Sequence, residues 1–410
     1  MLDQLLSALS RRAGRVVDWQ QALTAFAAMG PANGGTGESA KAEWICGVLR
    51  AAGITDIQTV TFTDNTTPTP CPRPNILARI PGKSPRTVWL LAHMDVVPPG
   101  DPALWHTDPW HLEQQGDTLI GRGVEDNQQG LVSALLLAVE LAERGITPDC
   151  TLGLAFVADE ETDNIHGMRQ LMREPARYFV PGDMFVVPDA GSPDGSAVEI
   201  AEKHVLWLKF ELLGKQCHGS TPHKGVNAML AGSALALRLA ALGERFPRED
   251  ALFDPPCSTF VPTRREGNVP NVNTVPGRDV FYMDCRILPH EDVDVVLAAV
   301  RECCAAVERE YGTSVSVHVL TRNDAAPPTP ADSEIVRRII PAIADVYGVT
   351  PRLVGIGGST VACFLRQAGY PAVAWSRILG NCHEPNEKAL ISNHLGDAQV
   401  FAHLVFAPGA

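Results

Sequence analysis

A chain of 410 residues exceeds one typical domain, and its 45% hydrophobic content is enough to build two cores. The formal net charge of −13, with no offsetting basic stripe, argues against a nucleic-acid partner. No run of about 18 apolar residues indicates a membrane span, and the amphipathic start lacks the basic front and long apolar block of a signal peptide.

The 10 cysteines are scattered through the chain, and no Cys-x-x-Cys pair occurs. Several of them lie inside apolar helical or strand patterns. This usage is typical of reduced thiols, so we expect a cytoplasmic protein.

The N-terminal part predicts two helices, the second from about Ser39 to Ala52, and then a short strand at Asn75–Ile80. The next apolar run ends in His93 and, two residues later, in Asp95. We expect Asp95 to hydrogen-bond one ring nitrogen of His93, which leaves the other nitrogen for a metal ion. A surface histidine with ordinary partners is the alternative.

A glycine-rich loop, Gly121–Gly130, precedes a long apolar helix predicted at Leu131–Glu143. Asp126 lies in this loop. Because aspartate is favoured just before a helix, one interpretation is that Asp126 caps the helix. The other interpretation is that its carboxylate binds metal.

Two further continuous apolar strands end in carboxylates. Leu152–Ala158 is followed by Asp159, Glu160 and Glu161, and Met184–Pro188 is followed by Asp189. Such runs are typical of parallel strands buried on both faces, with helices as crossovers. In open α/β sheets, sites lie at the carboxyl ends of the strands, so we expect these side chains to meet there. The alternative is that Glu160 and Glu161 are solvated surface acids.

From about residue 203 the pattern changes to an alternation that indicates half-exposed antiparallel strands. The predicted order is β-α-β-β-α-β, as in a split βαβ sandwich. The elements are a strand at Val205–Leu213, a helix at Asn227–Leu242, strands at Cys257–Pro262 and Asp279–Ile287, a helix at Val293–Tyr311 and a strand at Ser314–Leu320. We therefore predict a smaller domain at 203–320, inserted into a larger α/β domain formed by 1–202 and 321–410.

The end of the chain returns to the larger domain and adds a loop, Gly380–Glu387, that carries a second histidine. The larger domain then offers two histidines and three carboxylates as ligands: His93, Asp126, Glu161, Asp189 and His383. This set suits two divalent ions, zinc first and cobalt or manganese as alternatives. Glu160, beside a ligand, is placed to accept a proton from an activated water.

These motifs resemble the dizinc peptidase/deacylase family of acetylornithine deacetylase, succinyl-diaminopimelate desuccinylase and glutamate carboxypeptidase (peptidase family M20). The resemblance covers nearly the whole chain and rests on His93-Met-Asp95, Gly121-Arg-Gly-Val-Glu-Asp126-Asn, Glu160-Glu161, Asp189 and His383, in the family's order. It implies a zinc-exopeptidase-like catalytic domain with a mostly parallel central sheet. It also implies that the inserted domain is a ferredoxin-like lid through which two copies form a homodimer.

The same resemblance implies a role for each site residue. Asp126 bridges the two ions, His93 and Asp189 complete one metal site, and Glu161 and His383 complete the other. Glu160 is the general base, and Asp95 supports His93.

In the smaller domain, the segment from Cys217 to Pro222 resembles a family turn whose histidine, here His218, stabilises the oxyanion, often in the partner subunit. A turn histidine bonded locally is the alternative. Asn271 and Arg286 match positions that contact substrate. Arg286 lies on the opposite strand face from its neighbours, where it binds a substrate carboxylate or forms an ion pair within the domain.

The segment Gly357, Gly358, Ser359 and Thr360 resembles the family's substrate-carboxylate loop. Three departures weaken a specific deacylase assignment. Val361 and Ala362 follow where the desuccinylases have an acid, Gln128 stands where many relatives have lysine, and Asp189 where deacylases usually have glutamate.

We therefore expect a metal-dependent hydrolase that cleaves an amide bond in small molecules or short peptides with a free carboxylate. Dipeptides, C-terminal residues and N-acyl amino acids are the expected substrates. One alternative is a biosynthetic N-acyl deacylase. The alternative from another class is a non-catalytic relative that binds a ligand or partner, although every ligand and the general base are present.

Overall fold

The structure is a computed structural model that describes residues 1–162 and 164–406. The α-helices are α1 (Leu2–Leu9), α2 (Ala13–Thr24), α3 (Ser39–Ala51), α4 (Gln128–Glu143), α5 (Met168–Leu171), α6 (Ala228–Ala240), α7 (Val293–Tyr311), α8 (Glu334–Tyr347), α9 (Ala362–Gln367) and α10 (Ile391–Phe406). None of the helices in these residues is long and apolar enough to cross a membrane.

The strands are β1 (Ile57–Asp64), β2 (Cys71–Ile80), β3 (Ser84–His93), β4 (Glu113–Gln115), β5 (Thr118–Ile120), β6 (Cys150–Val157), β7 (Met184–Gly191), β8 (Ala197–Glu202), β9 (His204–Leu213), β10 (Cys217–His218), β11 (Thr259–Arg265), β12 (Thr274–Val275), β13 (Arg278–Ile287), β14 (Ser314–Asn323), β15 (Arg352–Ile356), β16 (Ala372–Ser376) and β17 (Lys388–Leu390). Strands β1, β8 and β15, the pair formed by β10 and β12, and the small sheet formed by β4, β5 and β17 were not predicted from the sequence.

The chain divides into two compact units. Of the described residues, the first unit comprises 1–200, 328–353 and 360–406, and the second comprises 201–327 and 354–359. The segment 354–359, which the sequence assigned to the larger domain, lies in the second unit because Gly355 packs there. Its N–H donates to the Leu252 carbonyl at 2.6 Å, and a Cβ at this position would lie 2.4 Å from the Phe253 ring.

The first unit is built on an eight-stranded sheet in the order β1-β2-β6-β3-β7-β16-β8-β15. Its four inner strands, β6, β3, β7 and β16, are parallel to one another. Strand β6 is buried at every position, and β3 is buried from Thr87 to its end. The prediction of parallel strands buried on both faces, inside a mixed α/β fold, is therefore confirmed.

Helix α4 begins at Gln128, three residues before the predicted start, because buried glutamine side chains extend its first turn. Gln129 donates to the Ser376 hydroxyl at 3.0 Å and to the Asp397 carboxylate at 2.9 Å. Gly130 lies against β7, where a Cβ would approach Pro188 Cγ to 2.4 Å. The helix packs closely against the strand that carries Asp189.

The second unit contains a four-stranded antiparallel sheet in the order β11-β13-β9-β14. Helices α6 and α7 contribute their apolar faces to a single core with the strands. Phe210 and Phe281 stack at the centre of this core with ring centroids 4.8 Å apart. The elements occur in the predicted β-α-β-β-α-β order.

Candidate metal centre

His93 lies at the carboxyl end of β3 and is 2% exposed. Its Nδ1–H donates to the backbone carbonyl of Asp95 at 3.0 Å, and the Asp95 carboxylate lies 3.4 Å from the same nitrogen. Nε2 faces the site, 2.9 Å from Asp126 Oδ1 and 3.7 Å from Asp189 Oδ1. Asp95 thus orients the ring mainly through its main chain, whereas the sequence had suggested its side chain.

Asp126 does not cap α4, because the capping position is Asn127. Its carboxylate instead lies between two histidines, with Oδ1 near His93 and Oδ2 3.2 Å from Nε2 of His383. The peptide bond between Asp126 and Asn127 is cis. The capping interpretation of this aspartate is therefore wrong.

Glu160 and Glu161 lie in a 3₁₀ turn that follows β6. The Asp95 carboxylate accepts the backbone N–H groups of both residues, each at 3.0 Å. Glu161 Oε2 lies 3.2 Å from Nε2 of His383. The second histidine and the strand-end carboxylate therefore share one centre, and the interpretation of these glutamates as surface acids is wrong.

The ligand atoms form two groups, each with all members within 4.8 Å of one another. The groups are His93, Asp126 and Asp189, and Asp126, Glu161 and His383. Asp126 belongs to both, as a carboxylate that bridges two ions must. Glu160 belongs to neither group of the described residues.

The pKa shifts show that this centre has an excess of negative charge. Burial raises the pKa of Glu160 well above its ordinary value, and the nearby charges of Asp189, Glu161 and Asp95 raise it further. Burial also raises the pKa values of Glu161 and Asp189.

The same negative charge also raises the pKa values of the two histidines. Burial lowers the pKa of His93, but its carboxylate partners outweigh this effect and raise the pKa well above the ordinary value. Hydrogen bonds to Asp126 and Glu161 raise the pKa of His383 to about 10. A donor set that holds positive charge this strongly fits divalent cations, with the imidazole and carboxylate ligands that zinc prefers.

The sequence pattern of Peptidase family M20/M25/M40 matches residues 89–407. The chain belongs to this family. An uncharacterized metallohydrolase of Methanococcus maripaludis is 36% identical over 348 residues, which cover 81% of this chain and 84% of the relative. A succinyl-diaminopimelate desuccinylase of Paracoccus denitrificans is 28% identical over 297 residues, 72% of this chain and 76% of the relative.

Solved structures share the fold of this M20 metallohydrolase. A di-peptidase of Saccharomyces cerevisiae superimposes with a TM-score of 0.75 at 17% identity, covering 99% of this chain and 98% of its own. A metallo-carboxypeptidase of Sulfolobus solfataricus gives a TM-score of 0.75 at 16% identity, covering 95% and 98%. The family membership implies divalent metal ions in this enzyme.

Two buried glutamates that the sequence analysis did not single out connect the loops that carry Asp126 and His383 in this M20 enzyme. Glu387 accepts the N–H groups of Gly123, Glu125 and Asp126 at 2.8 to 3.0 Å. Glu125 in turn accepts the N–H groups of Gly380 and Asn381, both at 2.9 Å. The only sequence signal for Glu387 was its place at the end of the loop that carries His383.

In the second unit, His218 is exposed on β10, which pairs with β12. The Ser220 N–H donates to Nδ1 of His218 at 3.1 Å, so the local bond of a turn histidine is present. Asn271 donates to Asn273 at 2.5 Å and to Thr274 at 2.6 Å. These contacts position both side chains within the second unit.

Arg286 forms the ion pair that the sequence left open. Its Nε and Nη2 donate to the two Asp284 oxygens at 2.7 and 3.0 Å, and its Nη1 donates to the Gly357 carbonyl at 2.8 Å. Gly357, Gly358 and Ser359 belong to the same unit as Arg286, whereas Thr360 belongs to the first unit. The Thr360 hydroxyl accepts the Ala362 N–H at 3.1 Å at the start of α9.

Proposed function

We propose that this M20 enzyme hydrolyses an amide bond in small substrates that carry a free carboxylate. Dipeptides, C-terminal residues of peptides and N-acyl amino acids belong to this class. The observation that carries the proposal is the position of Asp126 in both ligand groups, with Glu160 next to the ligand Glu161. This is the arrangement that two-metal hydrolases use.

In the proposed mechanism, His93 and Asp189 would hold one divalent ion, Glu161 and His383 would hold the other, and Asp126 would contribute to both sites. The ions would supply Lewis acidity toward a carbonyl and a water. Zinc is the ion that this mixture of imidazole and carboxylate ligands fits best, and cobalt and manganese are the alternatives.

Glu160 serves as the general base. It removes a proton from the attacking water and delivers that proton to the leaving amine nitrogen as the C–N bond breaks. Its place beside Glu161 and outside both ligand groups of the described residues supports this role.

The second unit supplies the groups that act on the substrate. We assign to His218 the stabilisation of the developing oxyanion, in the active site of a partner copy. The Ser220 N–H occupies Nδ1, so the neutral ring carries its proton on Nε2 and donates from there. We assign the binding of the substrate carboxylate to Arg286, Asn271 and the segment from Gly357 to Thr360.

A biosynthetic N-acyl deacylase is the second candidate, because the Paracoccus denitrificans relative is a desuccinylase. A panel of dipeptides, N-acetyl amino acids and N-succinyl amino acids separates the two candidates. Each substrate is compared with its amidated counterpart, which lacks the free carboxylate. We expect turnover of only one of these substrate classes, and a large loss of that turnover when the free carboxylate is amidated. Equal turnover of the amidated compounds, or no turnover by the metal-loaded protein, would overturn the proposal.

We further propose that the second unit forms the interface of a homodimer. Strand β11 lies at an edge of its sheet and exposes Val261, and helix α6, which contacts β11, exposes Met229, Leu230 and Leu237; the four residues are 43 to 74% exposed. An unpaired edge strand with an apolar border is a surface on which a second copy can continue the sheet.

Sedimentation of wild type and of Leu237→Glu tests the interface. We expect a dimer for the wild type and a monomer for the variant. Val295→Glu is the matched control, because Val295 is 57% exposed on α7 and should leave the dimer intact. A monomeric wild type would refute the interface.

We also propose a cytoplasmic location. All ten cysteines of the described chain are free thiols, which supports it.

A further inference from the structure

The turn that carries Glu160 and Glu161 begins at Asp159, whose φ of 65° lies in the left-handed region. Aspartate tolerates this conformation but does not prefer it. Hydrogen bonds must therefore hold it, and within the segment the Asp159 carboxylate accepts the Thr162 hydroxyl and, at 2.8 Å, the His166 N–H. Asp159 is 2% exposed, so its polar groups must find those bonds within the protein.

A buried ion pair adds bonds from outside the turn. The Asp159 N–H donates to Glu38 Oε1 at 3.2 Å, and the Asp159 carboxylate lies 3.1 Å from Nη1 of Arg73. Arg73 binds Glu38 through two parallel bonds, Nη2 to Oε1 at 2.5 Å and Nε to Oε2 at 2.8 Å. The side chains of the pair are 1% and 0% exposed.

The pair belongs to elements that carry none of the predicted metal ligands. Glu38 is the residue before α3, and Arg73 lies in β2. The same strand contributes Asn75, which accepts the Ala158 N–H at 3.1 Å and donates to the His166 carbonyl at 2.9 Å. Both ends of the turn are thus attached to β2, and its first residue is attached to the ion pair.

We infer that Arg73 and Glu38 are positioning residues for the general base. They hold Asp159 in the left-handed conformation and so fix where the next residue, Glu160, directs its carboxylate. The inference rests on the proposed role of Glu160. It extends the catalytic apparatus to two residues that touch neither the ligands nor the substrate.

The first variant is Arg73→Lys, which keeps the charge but cannot form two parallel bonds to Glu38. We expect kcat to fall by about 10²-fold, because displacement of a reacting group by about 1 Å has an effect of this size. KM and the metal content should stay near the wild-type values. If Arg73→Lys does not fold, Glu38→Gln is the second variant. It removes the negative charge of Glu38 and changes the shape of the side chain less.

Arg366→Lys is the matched control for a general loss of stability. Arg366 binds Glu199 through two bonds of 2.8 Å, and their side chains are 2% and 1% exposed. Arg366 also donates to the carbonyl of Ala372, at the start of β16, and β16 runs parallel to β7, which carries Asp189 near its carboxyl end. The control pair therefore lies at the end of the sheet opposite the metal centre. We expect a similar fall in Tm and an unchanged kcat.

The deciding measurement is made in the Glu160→Gln background. If the pair acts through Glu160, Arg73→Lys should not lower kcat further once the base is gone, because residues that act as a unit are not additive. Full additivity, loss of metal from Arg73→Lys, or an equal kcat loss in Arg366→Lys would each overturn the inference. A Glu160→Gln variant as active as wild type would instead refute the proposed function, so the two failures are distinguishable.

Discussion

The carboxylate of Asp95 accepts the backbone N–H of Glu160 at 3.0 Å. Its second oxygen accepts the next N–H, that of Glu161, at the same distance. Asp95 therefore joins the end of β3 to the turn after β6, while its carbonyl orients His93. Asp95 thus connects His93, at the end of one strand, with Glu160 and Glu161, which follow another.

The glutamate pair allows the base to be separated from the ligand beside it. Glu160→Gln should retain both metal ions but lose about 10²–10⁴-fold in kcat, the usual contribution of general-base assistance. Glu161→Gln should instead lose metal, because its carboxylate faces His383 within one ligand group. Turnover and metal content of the two variants are measured side by side. Wild-type activity in both would contradict the assignment.

Metal removal tests the shared carboxylate. Chelation should abolish activity, and zinc, cobalt or manganese should restore it. Metal analysis should find two ions per chain in wild type. Asp126→Asn should weaken both sites, whereas Asp189→Asn should weaken only one, because Asp189 belongs to a single ligand group. Full activity of the metal-free protein would refute the centre.

His218 is predicted to act in the active site of the partner copy. His218→Ala should lower kcat by about 10²–10³-fold, the effect of removing one oxyanion donor, with metal content intact. Mixing His218→Ala with Glu160→Gln subunits should then recover part of the activity, because one site of a mixed dimer is complete. Labelled chains must show that subunits exchange. No recovery after proven exchange would mean that His218 does not act in the partner's site.

Acid stability should depend on His394 in α10, which is fully buried. Its Nδ1–H donates to the Leu390 carbonyl at 2.7 Å, and Nε2 lies 2.7 Å from the Gln20 amide nitrogen, so the neutral ring satisfies both. Burial lowers the pKa of His394 to about 4. The unfolded chain binds a proton at about 6.5, so between these two pH values it binds more protons than the folded protein.

The free energy of unfolding should therefore fall as the pH drops through 6.5 towards 4, by about 3 kcal/mol from this group. Urea denaturation of wild type and His394→Gln at matched pH values isolates the effect, because the other groups cancel in the difference. The stability gap between the two proteins should narrow by that amount on acidification. A gap that does not change with pH would contradict the prediction.

Replacing each of two helical glycines by alanine should have opposite effects on stability. Gly130→Ala should cost about 1–3 kcal/mol by overpacking, because its Cβ would approach Pro188 Cγ to 2.4 Å. Metal affinity should fall as well, since Pro188 precedes Asp189. Gly47→Ala, within α3, meets no atom within 4 Å and should stabilise by about 0.8–1 kcal/mol. Denaturation midpoints and metal titration measure both; a neutral Gly130→Ala would show that the helix can move.

Much of the site could be predicted because parallel strands impose a recognisable pattern. A strand buried on both faces must be apolar along its length, so the polar residue at its end stands out, as His93 and Asp189 do. The alternation in β9 and β13 likewise placed Arg286 opposite Cys285 and Ile287, which lie in the core. These are local periodicities, and they are present in the sequence before the chain folds.

Only the tertiary structure decided how the ends of those elements are held together. Glu125 accepts the N–H of Gly380, 255 residues away, and Glu38 reaches Asp159, 121 residues away. Arg286 proved to bond to Gly357 as well as to Asp284, which joins two distant segments of the second unit. A hydrogen bond between residues so far apart leaves no periodic signal in the sequence, because it depends on the spatial meeting of two loops and not on the pattern of either one.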